Sequence, residues 1–341
     1  MKAVFSAVQL QHAPSRFLSR GHIVDYPESP ERARILLKGA RQAGARIHAS
    51  RSFAAAHVET IHTRRYLKFL AEAFRKWVRP KGAFPEVMPS LRPVEHPARY
   101  PRHITGRAGW HMMDFSCPIT ETTWQAVCAS ADTALTAADL VAGGQPAAYA
   151  LCRPPGHHAY GDRAGGFCYL NNTALAAEYL RHAHERVAIL DIDVHHGNGT
   201  QAIFYARSDI LTVSVHADPA RFYPFYYGYE SQRGRGAGNG FNLNIPVPVR
   251  SDDEVWLGAV HYAAEAIAQY APGALVIALG LDAHESDPLK GGAMTTDGFA
   301  RLARVIAGLS LPTVIVQEGG YQSAVLADNL AGFLGTYEAG A

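Results

Sequence analysis

The sequence predicts a single α/β domain in which a mostly parallel, multi-stranded sheet lies between layers of helices. Three observations support this fold class. Strand-like and helix-like segments alternate through the second half of the 341-residue chain. The strand-like segments are nearly continuous runs of Val, Ile, Leu and Ala, as expected when both faces of a parallel sheet are covered. Acids and histidines directly follow several of these runs, at the position where parallel α/β sheets bind their ligands.

The alternation begins near residue 147 and continues almost to the end of the chain. Length alone would allow two domains, but α/β folds of this size are often single, and the sequence shows no internal repeat. The strands are expected at residues 147–152, 186–191, 210–216, 243–247, 275–280 and 313–317, and the helices at residues 171–184, 200–205, 252–270, 296–309 and 323–333.

The first part of the chain gives less regular signals. Ser29 is a typical N-cap and Pro30 a typical first helical residue, which predicts a helix running to about residue 44. The remaining predictions are a strand at residues 3–10, a short turn at 57–63, a helix at 66–77 and a long Ala-rich helix at 124–142.

Composition excludes several classes of protein. Hydrophobic residues make up 48% of the chain, which excludes a disordered protein, and a net charge of +2 gives no sign of a nucleic-acid surface. The four cysteines form no CxxC pair and are typical of free thiols in a reducing compartment. We find no signal peptide and no apolar run approaching ~20 residues, so no membrane association is expected. These features predict a soluble cytoplasmic protein.

A proline-rich stretch interrupts the predicted helices. Proline at this density prevents a regular helix or a central strand, and a loop this long is usually functional or disordered. We interpret residues 79–118 as an insertion into the domain that shapes a pocket mouth or contacts a second copy in a homodimer. A mobile surface loop is the alternative. The prolines are Pro80, Pro85, Pro89, Pro93, Pro97 and Pro101.

The strongest chemical signal follows the strand expected at residues 186–191. Asp191, Asp193 and His195 alternate along an extended chain, so their side chains point the same way. Asp193 and His195 can therefore reach one metal ion together. Gly197 and Gly199 then allow a tight turn into the next helix. Acids and histidines also cap strand ends without binding metal, so this pattern alone decides little.

Three other strand ends carry polar residues as well. They are the segments at residues 153–158, 280–284 and 318–321. If these tips converge, Asp193, His195 and Asp282 form a ligand set, and two histidines and a tyrosine remain without a metal to bind. Two carboxylates and one imidazole match a catalytic zinc or iron(II) site with open positions. The joint occurrence of these signals favours a metal-dependent enzyme.

The same residues predict one catalytic metal ion rather than two. A binuclear manganese site of the arginase type needs further aspartates near the first and the later acid. Gly197 and His284 occupy those two positions here. A second divalent ion would therefore lack its bridging carboxylates.

Several motifs in a fixed order resemble the arginase–deacetylase superfamily. Within it, the chain resembles the bacterial acetylpolyamine amidohydrolases, which are relatives of the histone deacetylases. The likeness covers nearly the whole chain, including Ser29-Pro30-Glu31-Arg32 and the insertion. The other motifs are Arg153-Pro154-Pro155-Gly156-His157-His158, Gly165-Gly166-Phe167-Cys168-Tyr169-Leu170-Asn171-Asn172, the segment at residues 191–200, and Glu318-Gly319-Gly320-Tyr321.

The resemblance implies a role for each residue of the predicted site. Asp193, His195 and Asp282 would hold Zn²⁺, or Fe²⁺ in some conditions. His158 would act as general base and then general acid, while His157 would be mainly electrostatic. Asp191 would orient His157, and Asn198 would orient His158. Tyr321 would donate a hydrogen bond to the oxyanion. Because Asn198 is neutral where some relatives carry Asp, His158 should be less basic than with an Asp partner.

The resemblance also implies a substrate tunnel and structural potassium. Phe167 and Tyr223 match the aromatic walls, with Tyr223 in place of the usual Phe, and Leu289 and Gly166 belong to the same pocket. One potassium site would use Asp191, Ser214 and the carbonyls of Asp193, His195 and Val215. A second would use the carbonyls of Phe204, Arg207, Ile210 and Phe241.

The substrate is less tightly specified than the chemistry. In polyamine-specific relatives, the insertion supplies acids that attract a cationic amine. Thr105 and Ser116 stand where such acids are expected, with Asp114 close by, and a missing acid removes favourable electrostatics. We expect a deacetylase of small N-acylated amines such as acetylpolyamines. The alternatives are hydrolysis of acetyl-lysine or of neutral, including non-natural, amides and, more remotely, an inactive metal- or ligand-binding protein.

Overall fold

The computed structural model describes residues 1–19, 22–78, 85–90 and 99–340. Within them, eight strands form one sheet, and every neighbouring pair in it is parallel. The strands of this sheet are β1 (Lys2–Phe5), β4 (Arg46–Ala49), β5 (Ala147–Ala150), β6 (Val187–Asp191), β7 (Ile210–Ala217), β8 (Asn242–Val247), β9 (Ala274–Leu279) and β10 (Thr313–Gln317). Their spatial order is β4-β1-β5-β10-β9-β6-β7-β8. A separate antiparallel hairpin joins β2 (Arg16–Ser19) to β3 (His22–Asp25).

Helices follow most of the strands and cover both faces of the sheet. They are α1 (Pro30–Gln42), α2 (Ala55–Glu59), α3 (Arg64–Trp77), α4 (Ile104–His111), α5 (Thr123–Ala142), α6 (Asn172–Leu180), α7 (Asn198–Phe204), α8 (Asp253–Tyr270), α9 (Thr296–Ala307) and α10 (Leu326–Gly340). Among the described residues, no helix combines the length and the apolar character needed to cross a bilayer.

The central strands are buried on both faces, as their continuous apolar runs predict. Neighbouring residues of one strand point into opposite hydrophobic layers. Ile189 belongs to the layer under α5 and α6, whereas Leu190 belongs to the layer under α8, α9 and α10. Val276 and Ile277 of β9 divide in the same way. The predicted fold class is therefore confirmed.

Strand register brings the predicted polar tips together. Asp191, the last residue of β6, pairs with Ser214 of β7 and with Ala278 of β9. Gln317, the last residue of β10, pairs with Leu279 of β9. The segments that follow these strands therefore leave the sheet side by side at its carboxyl edge.

Several predicted boundaries near the N-terminus are wrong. The first strand ends at Phe5, and a 3-10 helix, Ala7–Gln11, replaces the rest of the predicted strand. This helix places the Gln9 side chain in the interior, where it donates to Thr133 Oγ1 (3.2 Å) and accepts from the backbone N–H of Arg153. The predicted turn at residues 57–63 overlaps α2. The sequence analysis did not predict edge strand β4. Its four residues are exposed and form no continuous apolar run.

The segment at residues 79–118 contains a helix that its prolines do not predict. Helix α4 lies in its second half, where Met112 bridges to Ala164 of the segment before Phe167. Residues 79–84 and 91–98 of the predicted loop lie outside the described residues. At the other end of the chain, α10 extends to Gly340, beyond the predicted end at residue 333.

Candidate active site

A cavity of about 330 Å³ opens at the carboxyl edge of the sheet. Its floor consists of residues that follow β5, β6 and β10, and its walls come from loops and from the hairpin. Residues of the floor include His157, His158, Asp193, His195 and Tyr321, and residues of the walls include Phe17, Asp114, Ser116, Gly166, Phe167, Phe222, Tyr223 and Leu289. Three of the four polar strand tips predicted from the sequence thus line one pocket, and the fourth contributes Asp282, whose ligand atom lies within 4.8 Å of those of Asp193 and His195.

Asp193, His195 and Asp282 form a buried cluster whose potential ligand atoms all lie within 4.8 Å of one another. Nδ1 of His195 is 3.0 Å from Asp193 Oδ1 and 3.1 Å from Asp282 Oδ2. Asp282 Oδ2 is buried and, apart from this approach by His195 Nδ1, has no hydrogen-bond partner among the described residues. An orphaned buried carboxylate oxygen is costly unless it binds something. The donor set and the orphaned oxygen together fit a divalent ion such as zinc.

Backbone donors orient both carboxylates. Gly319 N–H donates to Asp193 Oδ2 (2.7 Å), and Val194 N–H donates to Asp282 Oδ1 (3.1 Å). Asp193 Oδ1 accepts in turn from the backbone N–H of His195 (2.8 Å), so backbone donors fix both oxygens of Asp193 and one oxygen of Asp282. A Cβ at Gly319 would lie 2.1 Å from Asp282 Oδ2, so only glycine allows this close approach.

The tandem histidines stand beside the cluster with ring centroids 4.0 Å apart. Nδ1 of His157 is 2.9 Å from Asp191 Oδ2, and its Nε2 is 3.8 Å from Asp193 Oδ1. Burial opposes the charged form, but the carboxylates of Asp191 and Asp193 outweigh it and raise the pKa of His157 to about 10. His157 therefore carries a positive charge at neutral pH.

His158 has the opposite electrostatic character. Its Nδ1 lies 2.6 Å from Asn198 Oδ1, a neutral partner. Burial, together with the charges of His157 and His195, holds the pKa of His158 well below its ordinary value. A hydrogen bond from Nδ1–H to Asn198 leaves the Nε2 lone pair of His158 free to take a proton.

Tyr321 is buried at the floor, with its ring 5.8 Å from the Phe167 ring. Its backbone N–H donates to Asp287 Oδ2 (2.8 Å). Burial raises the pKa of the Tyr321 hydroxyl well above its ordinary value, although the Arg32 guanidinium opposes this. The hydroxyl therefore remains a hydrogen-bond donor at every physiological pH.

Glu318 is a site residue that the sequence analysis did not assign. Its buried carboxylate accepts from the backbone N–H groups of Gly156 (2.6 Å) and His157 (3.0 Å) and from the Thr173 hydroxyl (2.6 Å). It thereby ties the tip of β10 to the segment that carries the tandem histidines. Its presence in the Glu-Gly-Gly-Tyr motif was the available signal. Glu318 also lies close to His157 and Cys168, but the protein donors already use both of its oxygens.

The predicted wall residues line the pocket, with one exception. Phe167 has a left-handed backbone (φ +68°) that turns its ring into the pocket, and the Tyr223 ring meets His158 edge-on at 5.0 Å. Thr105 lies in the first turn of α4 and is not among the described residues that line this cavity. The helix replaces the extended loop on which Thr105 was expected to face the pocket.

The predicted potassium ligands lie in two groups near β7. Asp191 and Ser214 are register partners across β6 and β7, and Ser214 Oγ is 2.8 Å from His216 Nδ1. In the second group, the carbonyl of Phe204 accepts from the N–H of Arg207 (2.9 Å), and that of Phe241 accepts from the N–H of Thr212 (3.0 Å). Asp193 and His195 follow Asp191 along the chain, Val215 follows Ser214 in β7, and Ile210 is the first residue of β7.

Residues 26–336 match the histone deacetylase domain. This chain belongs to the histone deacetylase family. The acetylpolyamine amidohydrolase of Burkholderia pseudomallei (strain 1710b) is 45% identical over 340 residues, 99% of each chain, and acetylpolyamine amidohydrolase 1 of Pseudomonas aeruginosa is 39% identical over the full length of both. A crystal structure of the acetylpolyamine aminohydrolase of Burkholderia pseudomallei superposes with a TM-score of 0.96 over 99% of both chains at 45% identity. The HD domain of HDA15 shares the fold, with a TM-score of 0.79 at 23% identity over 99% of this chain and 90% of that one. The resemblance noted in the sequence is thereby confirmed.

Proposed function

We propose that this member of the histone deacetylase family is a zinc-dependent amide hydrolase that removes the acetyl group from small N-acetylated amines, including acetylpolyamines. The observation that carries the proposal is the convergence of three kinds of group at one pocket floor. A three-residue ligand cluster, a neutral histidine and a protonated tyrosine lie together there. Asp193, His195 and Asp282 would hold the metal, with Fe²⁺ as the alternative ion. When bound, the ion polarises the amide carbonyl and lowers the pKa of a water molecule.

His158 would be the general base. Its pKa is low and its Nε2 is free, so it can take a proton from water as the water oxygen attacks the carbonyl carbon. It would then give that proton to the amine nitrogen as the C–N bond breaks. The products are acetate and the free amine, and His158 returns to its neutral form.

His157 and Tyr321 would stabilise charge rather than transfer protons. Asp191 keeps His157 protonated, so it places a fixed positive charge beside the reacting group. The Tyr321 hydroxyl would donate to the oxyanion that develops on the carbonyl oxygen, a contact that is stronger in the transition state than in the ground state. Asn198 would orient His158 without making it strongly basic.

The walls suit a narrow aliphatic chain. Phe167, Tyr223 and Leu289 line the pocket and would pack against the methylenes of the substrate, while Gly166 allows the wall to approach His158 closely. Asp114 contributes a carboxylate to the wall. We propose acetylputrescine, acetylcadaverine and acetylspermidine as the leading substrates, because two close relatives are named acetylpolyamine amidohydrolases.

Three further assignments complete the proposal. Structural K⁺ would bind the two groups of donors near β7. A homodimer would form through the insertion at residues 79–118, part of which lies outside the described residues. The four cysteines keep free thiols, which is consistent with a cytoplasmic enzyme.

The test is kcat/KM on zinc-loaded protein for acetylputrescine, acetylspermidine, an acetyl-lysine peptide and a neutral N-alkyl acetamide. A preference of ~100-fold for the polyamines, about 2.7 kcal/mol of transition-state discrimination, would support the leading substrates. A flat profile would keep the hydrolase and favour the neutral-amide alternative. Absence of turnover on the whole panel would favour an inactive ligand-binding protein.

A further inference from the structure

Asp114 has an unusual set of partners for an acid in a substrate pocket. Its Oδ1 accepts from Ser116 N–H (2.9 Å) and from the Ser116 hydroxyl (2.5 Å). Its Oδ2 accepts from Gly166 N–H (3.2 Å) and from the Tyr223 hydroxyl (2.7 Å). A carboxylate offers about four acceptor sites. Protein donors therefore use all the acceptor capacity of Asp114.

Tyr223 makes the fourth of these hydrogen bonds with an atom that a phenylalanine lacks. Burial and the charge of Asp114 raise the pKa of Tyr223 well above its ordinary value, so the hydroxyl stays protonated and can only donate to the carboxylate. Tyr223 and Asp114 both line the pocket. The contact therefore lies where the tail of a bound amide would pass.

The charges around the pocket make Asp114 decisive for a cationic tail. Apart from Asp193 at the floor, Asp114 is the one carboxylate among the described residues that line this cavity, and Arg221 is the one arginine. An ammonium in the tunnel can donate a charged hydrogen bond to Asp114 only by displacing a donor that is already there.

We propose that Tyr223 is a specificity-determining residue that caps Asp114, so that the pocket prefers cationic over neutral short-chain acetamides less strongly than an uncapped Asp114 would make it. This inference rests on the proposed hydrolase function. The charge of Asp114 still acts on an ammonium at long range, but the directed hydrogen bond is withheld. Tyr223 thereby sets the substrate class without taking part in the proton transfers.

The two partners of this contact should behave differently on substitution. Asp114 and Ser116 also hold the left-handed turn that carries a wall aromatic, because Gly166 N–H binds Asp114 and Phe167 N–H binds Ser116 Oγ (3.2 Å). Loss of the Asp114 carboxylate disturbs the wall for every substrate. Loss of the Tyr223 hydroxyl removes one hydrogen bond and leaves the turn in place.

The experiment compares acetylputrescine with N-pentylacetamide, which has the same chain length and a methyl group in place of the ammonium. In the Tyr223→Phe variant, the ratio of kcat/KM for the cationic to the neutral substrate should rise roughly tenfold, the lower end of what one charged hydrogen bond contributes. The gain should appear in KM, because the ammonium lies away from the reacting bond. A ratio that stays constant or falls overturns the proposal.

Two matched variants separate the cap from other effects. Tyr26→Phe removes another buried hydroxyl, which donates to the Ser116 carbonyl (3.2 Å), and should leave the ratio unchanged.

Adding Asp114→Asn to Tyr223→Phe should abolish the gain, and a gain that survives overturns the proposal. Asp114→Asn alone should lower kcat/KM for both substrates, and a loss confined to acetylputrescine would show that Asp114 already binds the ammonium directly. If the wild type hydrolyses neither amide, the hydrolase function itself has failed.

Discussion

The floor and the walls of the pocket are held in place by different kinds of structure. Floor residues His157, Asp193 and Tyr321 follow β5, β6 and β10, whose register is set by backbone hydrogen bonds along the sheet. Wall residues Asp114 and Tyr223 come from two loops outside the sheet, and one side-chain hydrogen bond connects them. The chemistry thus depends on the sheet, whereas selectivity depends on a few contacts that one substitution can remove.

This contrast leads to an ordering of experimental effects. Changes at the floor should lower kcat by orders of magnitude on every amide. Changes at the walls should alter KM or the preference between amides and leave kcat nearly intact.

Removal of the metal should have the largest effect. Dialysis against a chelator should abolish turnover, because it removes the ion that Asp193, His195 and Asp282 would hold to polarise the amide carbonyl. One equivalent of Zn²⁺ should restore it, as measured by activity against metal content. Unchanged circular dichroism would exclude unfolding as the cause. Full turnover at a metal content far below one ion per chain would show that hydrolysis does not depend on a metal ion.

His158→Gln should come next, with kcat lower by roughly 10²–10⁴-fold. The variant loses the neutral imidazole that takes and returns the proton. His48→Gln, an exposed histidine of β4, is the control and should retain wild-type kinetics. Retention of the full rate by His158→Gln would remove its assignment as general base.

Tyr321→Phe should lower kcat by about 10²–10³-fold with little change in KM. The phenol donates in the transition state, and the ring that remains keeps its packing against Phe167. Tyr337→Phe removes another buried tyrosine hydroxyl outside the cavity lining and is the matched control. An equal loss in both variants would point to stability rather than oxyanion binding.

Asn198→Asp should shift the pH profile of kcat/KM. A carboxylate beside Nδ1 favours protonated His158 and raises its low pKa. As the pH falls, the neutral form of His158 is then lost at a higher pH than in the wild type. The acidic limb of the kcat/KM profile should therefore move up by about one pH unit. If the acidic limb lies at the same pH in the variant and the wild type, a group other than His158 titrates in that limb. Asn239→Asp, in the exposed loop before β8, controls for added charge.

Leu289→Ala should have the smallest effect, because it trims an apolar wall and leaves the floor untouched. We expect kcat/KM to fall by roughly tenfold or less, through KM. A large loss of kcat would show that the walls also position the reacting bond, and the division between floor and walls would then fail.

The central sheet and the candidate metal ligands could be predicted from the amino-acid sequence. Continuous apolar runs predict β6, β9 and β10, and the polar residues directly after them predict Asp193, His195 and Asp282. These signals are local, since a run of Val, Ile and Leu that is buried on both faces leaves little other choice of structure. Short exposed elements without a continuous apolar run, such as β4, cannot be predicted in this way.

Only the tertiary structure decided how the pocket is lined and supported. Tyr223 and Asp114 stand 109 residues apart, and Glu318 lies 161 residues from the His157 backbone that it holds. Neither pairing has a local signature, because any tyrosine or glutamate could make such a bond if the fold brought a partner within reach. Burial then gives these contacts their strength, since a polar group removed from water must find its partner inside the protein. Local sequence patterns therefore predicted the reacting groups, and tertiary packing determined which side chains hold those groups and line the pocket.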